Sequence, residues 1–529
     1  LSWDYSAFMS KANDTLPLSP ELRKQTPSEV ILLLIELVAK VESLTEAEAR
    51  ATEAEARATE AEARVKELEE RLSLTSQNSS KPPSSDPPGI VKPLQKRSKK
   101  KRQRGGQPGH KGHHRELLPP EEVDEIVISK PDICSDCGHE IQGLSSTNPE
   151  RHQVTDIPPI KPYVTEYQIH HIKCPDCGCM NSGSPDVIVP KSRFGSGVIT
   201  IVALCTGQYQ LSKRLVVQML QDFFGIILSL GSICGLEHKV SKALEQPVKE
   251  AADYVKNQKL VNADETGMNQ QKKRGWLWVF RTVAVCYFVA SLSRSGTVAR
   301  DVLGPDFAGT LYSDRYGGYS WVKTEKRQFC WAHLLRDFKK IMLKGGRSAE
   351  YGNRLVQQTE QLFHLVHRVK DGTLSRGIFE HRIKQIRSEI EWILGQAAKC
   401  VETKKKPKTC DCKKRGQECV DQKTVRTCKR LLKNKESMWV FLQFEHLELT
   451  NNAAERALRP AVIYRKRSFG IDSNKGARFF ERIMTTVTSL RAQNRHVLSY
   501  VRDAVDAHIA GEIPPSLLPL SSTPPKDTP

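Results

Sequence analysis

The chain has 529 residues, too many for one hydrophobic core, which predicts three or four domains. Lys and Arg total 81 against 61 Asp and Glu, a formal net charge of +20 with a pI near 9.3, and this balance favours a polyanionic partner. The longest apolar runs, "VILLLIELVA" at 30–39 and "FFGIILSLG" at 223–231, are far short of a membrane span. The N-terminal stretch lacks the charged start, apolar segment and cleavage site of a secretion signal, so a cytoplasmic location with no membrane partner is expected. In that compartment the 14 cysteines point to metal ligands or buried thiols before disulfides.

The first organised segment is a helix predicted over 27–75. Residues 45–65 spell "TEAEARA TEAEARA TEAEARV", and Leu44, Ala51, Ala58, Val65 and Leu72 alternate with Ala47, Ala54, Ala61 and Leu68 along one seven-residue stripe. That pattern predicts a coiled coil and a homo-oligomer; the blander alternative is a single solvated helix. Residues 76–120 follow as a Ser/Pro-rich linker, "TSQNSSKPPSSDPPGIVKP", that runs into a basic arm. Residues 92–115 hold ten Lys or Arg and no acid, half of the chain's surplus. Lys99, Lys100, Lys101, Arg102 and Arg104 are therefore candidate contacts to DNA phosphates, without base specificity.

Between 121 and 190 two knuckles repeat the pattern Cys-x-x-Cys-Gly: Cys134 with Cys137, and Cys174 with Cys177. Four thiolates can hold one tetrahedral Zn2+ as a closed structural site. The strand-like stretches "RHQVTDIPPI" and "YVTEYQIHHIKC" are expected to bring the knuckles together as a zinc ribbon, with Cys179 as an alternative ligand. His139, His170 and His171 are read as surface or strand residues. Residues 195–256 then show three helical periodicities. The last two are predicted to form a helix-turn-helix with Gly225–Leu230 as its turn and Ser232–Ala243 as recognition helix; an ordinary helical bundle is the competing reading.

A sheet is predicted next. "KLVNADETG", "GWLWVFRTV" and "VCYFVASLS" read as a three-strand meander; "GTVARDVLG" as a short helix; "GTLYSDRYGGY" and "RQFCWAH" as two more strands. Two strands are thus expected to end on an aspartate, Asp264 and Asp314. A third carboxylate, Glu455, falls in the first turns of a helix introduced by Thr450, Asn451 and Asn452, all good N-caps. Two Asp and one Glu can hold two hard divalent ions, Mg2+ or Mn2+, roughly 3.5–4 Å apart, and such ions both activate an attacking oxygen and stabilise a leaving one in phosphodiester chemistry.

The motifs "ADETG", "RGWLWVF", "SDRYGGY", "CWAHLLRDF", "NNAAERALRP" and "RKRSFG", in that order, resemble the DDE transposases of the insertion sequence 66 family. The coiled-coil segment, the "QPGHKGH" stretch and the paired knuckles extend the resemblance over nearly the whole chain. It implies a multidomain α+β protein with a ribonuclease H-like catalytic core at 257–470, carrying a helical and basic insertion at about 345–447. Helices at 471–512 and a disordered tail at 513–529 are expected to close the chain. The resemblance implies metal-dependent cleavage of element ends and strand transfer into target DNA, with companion proteins of the element as possible partners. The acidic triad falls on Asp264, Asp314 and Glu455. His333 and Arg336 are placed near it, as phosphate contacts or, for His333, a core histidine. Arg456, Arg459, Lys466 and Arg467 surround the glutamate as DNA contacts. Glu265 reads equally well as a turn acid or a ligand, and Trp276 and Trp278 as core. Cys400, Cys410, Cys412, Cys419 and Cys428 lack a clean Cys-x-x-Cys pair and are read as part of a basic loop. A non-catalytic regulator derived from a transposase and a structure-selective nuclease are the alternatives in other classes.

Overall fold

The computed structural model describes residues 19–72, 116–144, 149–184, 189, 192–344, 346–399 and 420–519. Lys99, Lys100, Lys101, Arg102 and Arg104 lie outside the described residues, as do Cys400, Cys410, Cys412 and Cys419. The chain separates into two units, residues 1–90 and 91–529.

In the first unit, α1 (Pro20–Gln25) is capped by the Ser19 hydroxyl, which accepts the Leu22 N–H, and α2 (Ser28–Leu72) is one continuous helix of 45 residues. Ala, Glu and Arg are strong helix formers, so the repeat sustains this length without a core. Along its apolar stripe Leu33, Leu37, Leu44, Leu68 and Leu72 are all exposed. Among the described residues no helix is long and apolar enough to cross a membrane.

The first described stretch of the second unit is nearly coreless. Among the described residues of 116–184 there is one antiparallel hairpin, β1 (His171–Lys173) with β2 (Met180–Ser182). The strands expected before it do not form, apart from that last three-residue piece. Pro158, Pro159 and Pro162 remove ladder donors there, and Ile157, Tyr163 and Val164 stand in solvent.

Residues 192–519 build the main body. Four helices lead in: α3 (Ser196–Ala203), prolonged by a π turn at Leu204–Gln208, α4 (Lys213–Phe224), α5 (Leu230–Ala243) and α6 (Glu245–Lys256). The turn between α4 and α5 falls where the sequence places it. Gly225 ends α4 at φ +66°, a left-handed conformation suited to glycine, and the Ser229 hydroxyl caps α5. However, α5 starts at Leu230 rather than Ser232, and it packs against α3 and two C-terminal helices instead of standing free.

The sheet has the order β5–β4–β3–β6–β7, built from β3 (Leu260–Gly267), β4 (Trp276–Arg281), β5 (Cys286–Ser291), β6 (Thr310–Ser313) and β7 (Arg327–Phe329). The first three form the expected antiparallel meander, while β6 and β7 run parallel to β3. The β3–β4 turn places Gln271 and Lys272 at φ +50° and +60°, the two left-handed residues of a tight hairpin, with Gln270 and Lys273 exchanging backbone hydrogen bonds of 2.8 Å. Helix α7 (Gly296–Leu303) connects β5 to β6, and α8 (Trp331–Met342) follows β7. Helices α9 (Gly346–Lys370), α10 (Arg376–Ala398) and α11 (Gln422–Lys433) occupy the expected insertion, and α12 (Asn452–Ser468), α13 (Asn474–Ala492) and α14 (Val497–Ala510) complete the body.

Two apolar cores meet in this body. One runs from α3 through β3–β6 to α12, α13 and α14, so the boundaries drawn from sequence near 257 and 471 cross one continuous core. The other gathers α8–α11 around Phe329, Trp331 and Trp439, and Cys428 is buried inside it rather than in a loop. The open edge of the sheet is closed by side chains. Glu481, Thr485 and Ser489, four residues apart on α13, accept the outward N–H groups of Ala290, Phe288 and Cys286 on β5. The tail is ordered further than expected: Leu517 is buried, the Tyr500 hydroxyl donates to the Pro515 carbonyl at 2.6 Å, and Arg495 donates to the carbonyl of Leu518.

Candidate active site

Strand β3 is longer than β6. Their parallel pairing ends with Asn262 opposite Tyr312, and β3 continues to Gly267 as the partner of β4 alone. Extending the register by two residues sets Asp264 level with Asp314, whose charge acts on it. Asp264 is therefore mid-strand rather than at a strand end as the sequence suggested; what ends at its level is the neighbouring strand. Asp314 is the first residue after β6, and its carboxylate accepts the Tyr316 N–H at 2.8 Å. Buried Arg327 holds this turn by donating to the Ser313 hydroxyl and to the carbonyls of Asp314 and Tyr316 at 2.8–3.1 Å, and its desolvation lowers it to about 10.

Glu455 arrives from the other side of the chain. Its helix, α12, has Asn451 at the N-cap, but the Asn451 side chain does not cap. Instead its amide donates to the Ala263 carbonyl at 2.7 Å and accepts from the Asn262 amide at 2.9 Å, while its backbone N–H points at Cys330 Sγ, 3.2 Å away. Asn262 and Asn451 are buried, so this pair pins the first turn of α12 to β3 next to Asp264. Farther along, Arg465 donates to the Gly267 carbonyl at 2.6 Å and ties the far end of α12 to the end of β3. Neither asparagine nor Arg465 stood out in the sequence as a positioning group. The one available signal was that Asn451 and Asn452 follow each other where a single cap suffices.

The three carboxylates act on each other electrostatically. Burial, followed by the charges of Glu265, Asp314 and Glu455, holds Asp264 well above the usual carboxylate range. Their oxygens do not all lie within 4.8 Å of one another: among the described residues, the atoms of Cys330, His333 and Glu455 form the one group of three ligating atoms that do. A cluster of this kind suits cations set between the acids, because a cation removes the mutual repulsion that now favours protonation.

Glu265 has a separate role. Adjacent residues on a strand point to opposite faces, and both its oxygens are engaged, one by Arg294 at 2.8 and 3.1 Å, the other by the Tyr319 hydroxyl at 2.7 Å. Burial raises its carboxyl, and the Tyr319 and Arg294 contacts oppose that shift. Arg294 lies between the rings of Trp276 and Tyr316, its guanidinium carbon 4.5 and 4.1 Å from the two centroids. Trp278 is core as expected, whereas Trp276 forms part of this rim.

His333 and Arg336, one turn apart on α8, both face Glu455. His333 Nδ1 is 3.6 Å and the Arg336 guanidinium 3.9 Å from Glu455 Oε1. Burial, then Arg336, pulls the imidazole below its ordinary value. Arg456, Arg459, Lys466 and Arg467 are exposed and share one side of α12 by their spacing, a basic stripe that starts one residue after Glu455.

The two cysteine knuckles form as separate, similar loops. In each, the glycine N–H donates to the carbonyl of the first cysteine, Gly138 to Cys134 at 3.0 Å and Gly178 to Cys174 at 2.9 Å, with both glycines at positive φ. Amides facing sulfur lower the thiols of Cys134 and Cys177, which suits thiolate ligands. The donor chemistry therefore fits zinc, although the sulfurs of the two knuckles are not gathered into one group as a single ribbon site requires.

A mixed sheet carrying acids on neighbouring parallel strands, in one chain with two cysteine knuckles, is the setting in which the family matches fall, and they give the class as a transposase with a zinc-finger segment. The Transposase IS66 family matches residues 191–479, and the zinc-finger binding domain of transposase IS66 matches residues 131–178. The protein belongs to the IS66 transposase family. Residues 24–116 match a family of unknown function, and the zinc-finger match supports structural zinc. An uncharacterized protein, y4qI, of Sinorhizobium fredii (strain NBRC 101917 / NGR234) is 26% identical over 271 residues, 45% of this chain and 47% of that protein. The chain thus spans about half the length of the curated relative it matches.

Proposed function

We propose that this protein binds the ends of an insertion sequence, cuts them in a metal-dependent reaction and joins them to target DNA. The observation that supports this reading is that burial, then the charges of Glu265, Asp314 and Glu455, raise Asp264, which draws acids from two adjacent strands and a separately pinned helix into one electrostatic group. In this reading the sheet and its helices form a ribonuclease H-like core, and the triad holds Mg2+ or Mn2+. Such ions supply Lewis acidity to the attacking and leaving oxygens of a phosphodiester. The chain's own part is positional. Asn451 and Asn262 fix Glu455 against β3, Arg327 fixes the turn bearing Asp314, and Glu265 with Arg294 and Tyr319 braces the strand that carries Asp264.

Arg456, Arg459, Lys466 and Arg467 offer the DNA backbone a cationic track leading away from Glu455. The arm bearing Lys99, Lys100, Lys101, Arg102 and Arg104 adds non-specific affinity, and Cys134, Cys137, Cys174 and Cys177 hold structural Zn2+ once the knuckles close on it. Helix α2 pairs with a second copy through its exposed stripe. The α4–α5 turn serves as a helix-turn-helix through the solvent side of α5. The deciding experiment is cleavage of an end-bearing duplex by purified protein with Mg2+. Wild type is expected to nick or cut and to join the freed 3′ ends, while Asp264→Asn and Glu455→Gln fall to background. Full activity in either variant ends the assignment of the triad, and absence of cleavage by wild type favours a DNA-binding regulator.

A further inference from the structure

Glu455 is shared between two donor sets, and the second is built for a different kind of ion. Cys330 is the N-cap of α8, and the helix carries His333 one turn on, so the thiol and the imidazole face the same way. With Glu455 they place one sulfur, one nitrogen and one oxygen within 4.8 Å of one another. His333 Nδ1 and Glu455 Oε1 are both buried atoms without a hydrogen-bond partner, 3.6 Å apart. That gap is too long for a hydrogen bond. It is close to the edge of a tetrahedron, about 3.3–3.5 Å, around an ion bonded at about 2.0–2.1 Å. Mg2+ does not fit such donors, because it takes hard oxygen ligands in octahedral array. Thiolate, imidazole and carboxylate together suit a borderline ion.

We infer that Cys330, His333 and Glu455 form a binding site for a borderline divalent ion such as Zn2+ or Co2+, and that filling it withdraws Glu455 from Asp264 and Asp314. Binding replaces the Cys330 S–H proton by a sulfur–metal bond and releases that proton to solvent. A solvent molecule completes the fourth position. The consequence for activity rests on the reading of the triad given above; the binding itself does not. Zinc would then oppose magnesium by competing for one carboxylate, a means of holding the protein inactive wherever free zinc is raised.

The test uses full-length protein with its knuckles filled by zinc. Co2+ is titrated in, and thiolate-to-cobalt charge-transfer absorption is recorded. Wild type is expected to take up one further Co2+ with a thiolate band. Cys330→Ser is expected to lose that band while leaving the knuckle cysteines intact, and its hydroxyl can still accept the Asn451 N–H, which preserves the local fold. His333→Ala serves if Cys330→Ser proves unstable by circular dichroism, and it is expected to weaken Co2+ binding about tenfold or more. No thiolate band in wild type, or an undiminished band in Cys330→Ser, overturns the site. Asp264→Asn separates the two proposals. It is expected to abolish cleavage yet keep the cobalt band, whereas retained cleavage in that variant would sink the catalytic reading and leave the metal site standing. Zn2+ is further expected to inhibit Mg2+-supported cleavage by wild type and to inhibit Cys330→Ser much less.

Discussion

Residues 116–184 and strands β3–β7 are written in similar letters but end in different states. Both are rich in Ile, Val, Tyr and Phe or Thr, and both read as strands. In the sheet, Val261, Ala263, Leu277, Trp278, Val279 and Phe280 are fully buried. In the earlier stretch Tyr163 is 96% and Val127 84% exposed, and among its described residues one hairpin of three-residue strands is all the sheet that forms. The difference lies in what covers them. Helices on both sides and the side-chain ladder from α13 give the sheet a second layer, whereas the knuckle segment has none. Beta-forming residues order a strand only where a partner surface removes them from water, so metal is the expected source of order in the knuckle segment.

The largest way to break this contrast is a cavity in the covered region. Phe280 is fully buried and stacks on Trp278 with ring centroids 6.5 Å apart. Phe280→Ala is expected to cost about 3–5 kcal/mol in denaturant unfolding of the main body. Tyr163→Ala, removing an equally large ring from the uncovered stretch, is expected to stay within about 0.5 kcal/mol. Comparable losses at the two sites would show that the knuckle segment has a core after all.

A second prediction concerns the edge ladder. Burial raises Glu481 from 4.5 to about 7, with Arg478 opposing at 2.8 Å. The folded value lies above the unfolded one, so the native state binds the proton more tightly. The stabilisation is therefore complete below about pH 4.5 and is lost as pH rises towards 7. That rise corresponds to at most about 3 kcal/mol across the window. Glu481→Gln keeps an oxygen for the Ala290 N–H and is expected to flatten the decline. A decline between pH 5 and 7 of the same size in wild type and variant would refute the assignment.

Smaller in stability but larger in consequence is Asn451→Ala. It leaves the Ala263 carbonyl and the Asn262 amide unpaired in a buried place, at about 1–3 kcal/mol. Because the lost contacts position Glu455, cleavage is expected to drop by more than the stability change accounts for. Unchanged turnover per folded molecule would remove Asn451 from the positioning set.

Much of the fold around the candidate site was readable in advance, and the reasons are specific. Asp264 and Asp314 were legible because a short apolar run ending in an acid and a glycine turn is a local pattern, and Glu455 because helix starts have their own signature. The order of the meander followed from strand runs and a tight turn. Side-chain pairing across long sequence distance was not legible. The bonds from Asn451 to Ala263 and from Arg465 to Gly267 link residues 188 and 198 positions apart, and no periodicity marks them. Glu265 shows the same gap from the other direction: its neighbour in sequence faces the triad, while its own partners, Arg294 and Tyr319, are 29 and 54 residues away. Burial was misjudged wherever composition spoke without a covering layer, as in the strands expected before Cys174.

The sharpest form of the comparison removes metal rather than atoms. If zinc orders residues 131–182, a chelator strong enough to strip thiolate sites is expected to increase amide hydrogen exchange there, since the hairpin and knuckle bonds, such as Cys134 N–H to His139 and Cys174 N–H to Cys179, have no apolar layer above them. Over β3–β7 the same treatment is expected to change nothing, because that region's protection comes from its cores. Loss of protection in both regions together would mean that the knuckles support the main body, and the separation drawn from burial would fail. Protection unchanged in both would mean that the knuckle segment holds itself without metal, leaving its lowered thiols at Cys134 and Cys177 as a local effect of facing amides.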